Sequence, residues 1–116
     1  MSGYITRFAP SPSGLLHVGN VRTALLNYLV SKKNNGKFIL RIDDTDKERS
    51  KDNFIDEINE DLNWLGLNSD EYYKQSERID LYDEAFELLK GKELIYPCFE
   101  SSDELDKKRK RLIARR

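Results

Sequence analysis

A loop near the start of the chain carries residues suited to binding an anion. Residues 7–20 read RFAPSPSGLLHVGN and lead into a predicted helix. The N-terminus of a helix presents unpaired backbone N–H groups and a partial positive charge, which together suit a phosphate group. His17 can donate a hydrogen bond there, and Gly19 lets a ligand approach the backbone closely. Taken alone, His17 also fits a surface or packing residue.

An acidic cluster and one arginine offer a second kind of chemistry. Asp43, Asp44 and Asp46 follow a predicted strand and can bind a metal ion or an ammonium group. They are also consistent with a capped turn, because aspartate favours such turns. Arg7 ends the first predicted strand and can hold a carboxylate through a two-pronged hydrogen bond. A single arginine of this kind also fits a solvated surface charge.

Several other classes of site lack their residues. The sequence has no GxGxxG after the first strand and no GxxxxGK[ST], so the dinucleotide-binding and P-loop interpretations lose their mechanism. With one cysteine, Cys98, and one histidine, the chain cannot supply a Cys/His zinc site. A single cysteine also permits no internal disulfide and indicates a reducing compartment.

The elements around the loop predict how these groups meet. Residues 4–8 predict a strand, residues 9–14 a shaped loop, and Asn20 onward a helix that stops at residues 34–36. Residues 37–43 predict a strand with both faces covered. The result is a βαβ unit with parallel strands and a right-handed crossover. Because ligands bind beyond the carboxyl ends of such strands, the loop and the acidic cluster are expected at one rim.

Three more helices and a short strand are predicted downstream. The first helix has an apolar stripe and a C′ glycine, formed by Ile55, Ile58, Leu62, Leu65 and Gly66. The second is capped by Ser76, stops at Gly91 and turns four apolar residues inward, namely Ile79, Tyr82, Phe86 and Leu89. Residues 94–96 predict the strand. Residues 101–104 form a capping box that opens the last helix, which is expected to continue to Arg116.

Charge falls into three blocks along the chain. The 116 residues carry 20 bases and 21 acids, a net charge of −1. Residues 1–41 hold six bases and no acid, residues 42–106 hold seven bases and all 21 acids, and residues 107–116 hold seven bases and no acid. Segregation of this kind indicates a site or a partner. The basic tail either neutralises nucleic-acid phosphates or is a solvated helix face.

The composition argues against a membrane protein and a secreted one. No apolar run approaches the roughly 20 residues that span a bilayer. The N-terminus lacks a basic segment followed by an apolar one, so no secretory signal is expected. We therefore predict a cytoplasmic protein with no membrane partner. The length suits one domain with a single core.

Three separated runs resemble one enzyme family. Residues 7–20, residues 27–46 (NYLVSKKNNGKFILRIDDTD) and residues 73–78 (YKQSER) are together similar to the N-terminus of bacterial glutamyl-tRNA synthetases, with residues 17–20 (HVGN) as the HIGH-type signature. The resemblance implies an α/β fold, the N-terminal part of a Rossmann-like class I synthetase domain with parallel strands and flanking helices. It also implies activation of L-glutamate with ATP, which magnesium accompanies, and attachment of glutamate to tRNA.

The resemblance assigns the glutamate site to four residues. Arg7 would recognise the glutamate carboxylate, and Ala9 and Ser11 would line the amino-acid pocket. Asp43 would meet the substrate ammonium, at a position where many relatives have the longer glutamate. Arg7 would therefore reject glutamine, because the charge of the arginine would be left unpaired.

The resemblance also assigns the ATP site. His17 and Gly19 correspond to the catalytic signature, and the residues that contact ATP are implied to be Pro10, Gly14, His17, Gly19 and Asn20. His17 would donate a hydrogen bond to the charge that builds on the phosphoryl oxygens in the transition state. No residue is assigned to a metal. Some relatives have a Cys-x-Cys zinc half-site where this chain has Cys98 alone, so no zinc is expected.

The family pattern further implies that the chain is the front portion of a longer enzyme. Residues 1–97 are expected to form the N-terminal half of the Rossmann-like domain, and residues 98–116 the start of a truncated insertion that contacts the acceptor end of tRNA. The KMSKS-type lysine loop of the family does not occur, so the fragment is expected to be inactive alone. Its open sheet edge predicts self-association. Two alternatives remain, a glutamate-activating tRNA-modifying paralogue and a non-catalytic nucleotide-binding module.

Overall fold

Three parallel strands form the centre of the first part of the chain. The computed structural model describes residues 3–114, with elements in the order β1 (Ile5–Phe8), α1 (Val18–Lys33), β2 (Lys37–Ile42), α2 (Asp52–Trp64), β3 (Glu71–Lys74), a 3₁₀ turn (Gln75–Arg78), α3 (Ile79–Gly91) and α4 (Ser102–Ile113). The strands lie in the order β1-β2-β3, and both pairs are parallel. The predicted α/β class and the first βαβ unit are confirmed.

The core lies on one face of this sheet. Phe38, Leu40 and Ile42 alternate along β2 and are buried. Both α1 and α2 contribute to the same cluster, which consists of Phe8, Ala24, Phe38, Leu40, Ile42, Ile55, Ile58, Leu62 and Leu67. The opposite face, which we call the open face, carries Ile5, Arg7, Ile39 and Arg41, as the strand alternation requires. Ile5 at the start of β1 is 69% exposed, whereas Ile39 and Arg41 of β2 are half-buried. The cover expected on both faces of residues 37–43 is therefore complete on the core face and partial on the open face within residues 3–114.

The boundaries of the first two helices follow from their caps. α1 begins at Val18, two residues earlier than expected, because His17 is its N-cap. Gly66 follows the C-cap of α2 with φ +72°, a left-handed conformation that favours glycine, which confirms it as the C′ residue. Of the predicted stripe on α2, Leu65 is 40% exposed, whereas the other three apolar residues are buried.

One strand of the structure is absent from the sequence-based prediction, and one predicted helix cap is wrong. β3 was not predicted, although Tyr72 and Tyr73 are residue types that favour strands. Ser76 does not cap α3. It lies inside the 3₁₀ turn that precedes α3, and its hydroxyl donates to a carboxylate instead of accepting from a helix.

Contacts divide the chain into two compact units, residues 3–80 and residues 81–114. The described part of the second unit has no buried residue, so the apolar residues of α3 that were expected to face inward are not buried. No strand forms at residues 94–96. Ile95, Tyr96 and Pro97 instead line an apolar cavity of about 500 Å³ together with residues of α3.

The last helix begins as predicted. The side chain of Ser101 accepts from the backbone of Glu104, and the carboxylate of Glu104 accepts from the backbone of Ser101, so the capping box is confirmed. α4 ends at Ile113, and the expected continuation to Arg116 lies outside the described residues. None of the helices within residues 3–114 is both long enough and apolar enough to cross a membrane.

Candidate active site

The loop after β1 and the segment after β2 meet at the carboxyl ends of these strands. The backbone N–H of Asp43 donates to the carbonyl of Pro10 at 3.0 Å, and the N–H of Lys51 donates to the carbonyl of Pro12 at 3.1 Å. Both prolines are buried. These two hydrogen bonds hold together two segments that are distant in sequence. The prediction that the loop and the acidic cluster lie at one rim of the sheet is confirmed.

His17 caps α1 and in doing so orients its own ring. Its Nδ1 accepts from the backbone N–H of Gly19 at 3.1 Å, and its backbone N–H donates to Oδ1 of Asn20 at 2.8 Å. In a neutral imidazole whose Nδ1 accepts, the proton resides on Nε2. Because His17 is exposed, its Nε2–H can donate to a ligand at the rim.

Gly19 makes room for that ring. A Cβ at this position would lie 2.9 Å from Cε1 and 3.0 Å from Nδ1 of His17, which is closer than real contacts allow. From the sequence, Gly19 is expected to let a ligand approach the backbone closely. In the structure it is the imidazole of His17 that occupies the space next to this glycine.

Arg7, Arg41 and Asp43 lie on the open face. Arg7 pairs in register with Ile39, two residues before Arg41. The guanidinium of Arg41 donates to both oxygens of Asp43, from Nε at 2.7 Å and from Nη2 at 2.9 Å. Arg7 is exposed and has no ion-pair partner among residues 3–114. An ionised carboxylate has about four acceptor positions, so Asp43 can still accept from a further cation.

Asp44 joins the segment after β2 to the segment after β3. Its two carboxylate oxygens accept from the backbone N–H of Ser76 at 2.9 Å and from the Ser76 hydroxyl at 2.6 Å. We call this pair the rim clasp. Burial alone would raise the pKa of Asp44, but the hydrogen bonds from Ser76 lower it below its usual value. The partner of Asp44 is therefore Ser76, the residue that the sequence pattern predicts as a helix cap.

Three further predicted site residues lie in the loop of residues 9–14 that follows β1. Ala9 is half-buried and Ser11 is exposed. A Cβ at Gly14 would meet no heavy atom within 4 Å, so the backbone there borders open space. Asp46 turns away to pair with Arg49 at 2.7 Å, and this pair lowers the pKa of Asp46.

No group of three or more His, Cys, Asp or Glu side chains converges on a common point within residues 3–114. Each carboxylate of the acidic cluster instead contacts a different residue. Asp43 engages Arg41, Asp44 engages Ser76, and Asp46 is paired as above. Of the sequence-based interpretations, ammonium binding still fits Asp43, and the capped turn fits Asp46, whose Oδ1 accepts from the backbone N–H of Arg49 at 3.3 Å.

Two exposed ion pairs involve the basic helix α4, one between Arg109 and Asp106 at 3.3 Å and one between Lys108 and Glu100, which precedes the helix. Lys108 donates to Glu100, and this contact, followed by a hydrogen bond from Cys98, lowers the pKa of Glu100 to about 2. Part of the charge of the basic tail is thus offset within its own unit. Both interpretations of the tail stay open.

Sequence and structure comparisons agree on one group of proteins. Residues 4–116 match the family described as tRNA synthetases class I (E and Q), catalytic domain. The chain is 59% identical over 106 residues to glutamate–tRNA ligase 1 of Ehrlichia chaffeensis, covering 91% of this chain and 24% of that protein. It is 57% identical over 113 residues to glutamate–tRNA ligase 1 of Ruegeria pomeroyi, covering 97% of this chain and 26% of that protein.

A solved structure of similar fold is the glutamate tRNA ligase of Elizabethkingia meningosepticum in complex with its amino acid. It superposes with a TM-score of 0.80 at 42% identity and covers 96% of this chain and 24% of that chain. The glutamate–tRNA synthetase of Elizabethkingia anophelis gives a TM-score of 0.83 at 41% identity, covering 98% and 25%. The chain thus spans about a quarter of the length of these relatives.

Proposed function

We propose, because this chain belongs to the catalytic-domain family of class I tRNA synthetases (E and Q), that it supplies the front portion of a glutamate–tRNA ligase. Such an enzyme activates L-glutamate with ATP and transfers it to tRNA. The observation that carries the proposal is the rim, where the capped start of α1, the loop of residues 9–14 and Asp43 are fastened together.

The charges on the open face suit glutamate. Arg7 is the exposed cation proposed to pair with the side-chain carboxylate through two parallel hydrogen bonds. Asp43 is proposed to accept from the substrate ammonium, while Arg41 keeps the aspartate side chain in place. Ala9 and Ser11 belong to the loop that borders both residues and are proposed to line the amino-acid pocket.

The capped start of α1 suits the phosphates of ATP. His17 is proposed to donate from Nε2 to the α-phosphate while the glutamate α-carboxylate attacks it and pyrophosphate leaves. Losing one such donor typically lowers a rate about 10²–10³-fold. Pro10, Gly14 and Asn20 are proposed as the neighbouring contacts, with Gly14 bordering open space. We expect magnesium to be held by the ATP phosphates, and the absence of zinc stays a prediction.

The division of the chain belongs to the same proposal. Residues 1–97 are proposed as the first half of the catalytic domain and residues 98–116 as the start of the insertion that meets the acceptor end of tRNA. Since the chain spans about a quarter of its relatives, the complete reaction is proposed for the longer protein. A cytoplasmic location, predicted from the sequence by its lack of a long apolar run and of a secretory signal and by its single cysteine, also stays a proposal.

The test uses a non-hydrolysable glutamyl-adenylate analogue and the 116-residue chain. We expect the analogue to raise the melting temperature, and we expect Arg7→Ala combined with His17→Ala to weaken its binding at least tenfold. Lys33→Ala removes one exposed positive charge from the last turn of α1, at the end of the helix opposite its His17 cap, and is the control. An unchanged thermal shift in the double variant contradicts the proposed site.

A further inference from the structure

Asp43, the proposed ammonium contact, lies beyond the last residue of its strand. β2 ends at Ile42, and the ladder between β2 and β3 ends where Ile42 pairs with Lys74. Residues 43–46 belong to neither a helix nor a strand. The position of the Asp43 carboxylate therefore depends on contacts made outside the sheet.

The rim clasp continues the ladder past the ends of both strands. Ile42 and Lys74, the last pair of the ladder, are 32 positions apart, and so are Asp44 and Ser76. The carboxylate of Asp44 accepts from the backbone N–H of Ser76 at 2.9 Å and from its hydroxyl at 2.6 Å. Where the backbone pairing stops, a side chain thus binds the segment after β2 to the segment after β3.

Asp43 is held from three directions. Its backbone N–H donates to the carbonyl of Pro10 at 3.0 Å, its carboxylate accepts from two donors of Arg41, and the clasp holds the residue that follows it. The peptide group between Asp43 and Asp44 is planar, so a fixed Asp44 also restrains the carbonyl side of Asp43. The Arg41 bonds join the carboxylate to another flexible side chain, whereas the clasp restrains the backbone from which this carboxylate projects.

We propose that Ser76 is a positioning residue for the substrate ammonium and that it acts through Asp44 on Asp43. This inference rests on the proposed function, because it takes Asp43 as the ammonium contact. Binding groups must be held within about 0.5 Å of their productive position by hydrogen bonds from the residues behind them. The hydroxyl of Ser76 supplies one such bond without touching the ligand itself. Its loss leaves the ammonium contact present but poorly placed.

The test compares two non-hydrolysable glutamyl-adenylate analogues by calorimetry on the 116-residue chain, one with the α-ammonium and one with hydrogen in its place. We expect Ser76→Ala to weaken binding of the ammonium analogue about fivefold and of the other analogue less than about twofold, because only the first depends on the Asp43 carboxylate. Ser76→Thr keeps the hydroxyl, and its extra methyl group has room because position 76 is exposed. This variant should restore the affinity of the unmodified chain.

Two further variants test whether the effect passes through the clasp. Asp44→Asn removes the charged acceptor and should cause the same selective loss. Adding Ser76→Ala to it should weaken binding by less than about twofold more, because both changes affect one contact. Ser101→Ala is the matched control, since this hydroxyl also donates to a carboxylate, that of Glu104 at 2.9 Å, but in the second unit. It should change neither affinity.

Asp43→Asn distinguishes failure of this inference from failure of the proposed function. If the unmodified chain binds neither analogue, or Asp43→Asn discriminates between them as the unmodified chain does, the proposed glutamate site is wrong and the role of Ser76 falls with it. If Asp43→Asn loses discrimination and Ser76→Ala keeps it, the proposed function stands and Ser76 is not a positioning residue. Equal weakening of both analogues by Ser76→Ala, or a loss that Ser76→Thr does not restore, also overturns the inference.

Discussion

Helices α2 and α3 have the same length and a similar amphipathic pattern, yet only α2 buries its apolar face. Each has 13 residues. α2 places Ile55, Ile58 and Leu62 in the core beneath the sheet, whereas Phe86 and Leu88 on α3 are 52% and 58% exposed. Apolar periodicity therefore predicts which side of a helix is apolar. Whether that side is buried depends on the presence of a partner element, here the sheet of residues 3–80.

The largest expected effect tests this contrast directly. Ile58→Ala removes a side chain that is fully buried, and such truncations typically cost about 2–5 kcal/mol of unfolding free energy. Leu88→Ala, the matched change on α3, should cost about 0.5 kcal/mol or less, because an exposed leucine loses few contacts. Urea unfolding followed by circular dichroism measures both. Equal losses in the two variants would mean that α3 is packed in solution as tightly as α2.

A smaller effect concerns the rim clasp within the first unit. Ser76→Ala should lower the unfolding free energy by about 1.5 kcal/mol, because it removes a hydrogen bond to a charged acceptor. The pKa of Asp44 is lower in the folded chain than its usual value of 3.8, so protonation favours the unfolded chain. The stabilisation should be complete above about pH 5 and should be lost as the pH falls below 4. Unfolding at a series of pH values checks this.

Asp44→Asn provides the control for that pH dependence. The variant should be less stable at pH 7, and its stability should change less than that of the unmodified chain between pH 5 and pH 3. A pH dependence identical in the two proteins would assign the acid sensitivity to other carboxylates, of which Asp70 is one, since its hydrogen bond from Lys32 lowers its pKa too.

The smallest effect belongs to the second unit. Ser101→Ala removes the N-cap of α4 and should reduce the local stability of this helix by about 0.5–1 kcal/mol. Hydrogen exchange of the first-turn amides of α4 should accelerate, while exchange in β2 stays unchanged, because the cap contributes nothing to the core of residues 3–80. Ser102→Ala, next to the cap and without its hydrogen bonds, is the control. Faster exchange in both regions would show that the two units unfold together.

The elements with strong local signals could be predicted from the sequence. The Pro- and Gly-rich loop, the C′ role of Gly66 and the capping box at Ser101 depend on residues close in the chain, and the structure confirms them. The contact between the loop and Asp43 could also be predicted, because parallel strands bring their carboxyl ends to one edge of the sheet.

The partners of individual side chains could not be predicted in the same way. Ser76 carries the sequence signal of a helix cap, but its hydroxyl donates to Asp44, which is 32 residues away. Only the position of β3 decides that contact, and β3 is four residues long. The same holds for the hydrogen bond from Arg41 to Asp43 and for the side-chain oxygen of Gln75, which is buried without a hydrogen-bond partner in the described part of the chain. Both depend on the sheet register and on the side-chain rotamers. Local sequence patterns contain neither.

The position of the His17 ring beside Gly19 couples the effects of changing these two residues. A Cβ at position 19 would lie 2.9 Å from Cε1 of His17, so any side chain there requires the imidazole to shift from its position in this structure. A loss observed at this glycine is therefore in part a loss of the histidine, and the effects of changing both residues should overlap instead of adding. Tolerance of other residues at position 19 is consequently governed by which residue stands at position 17.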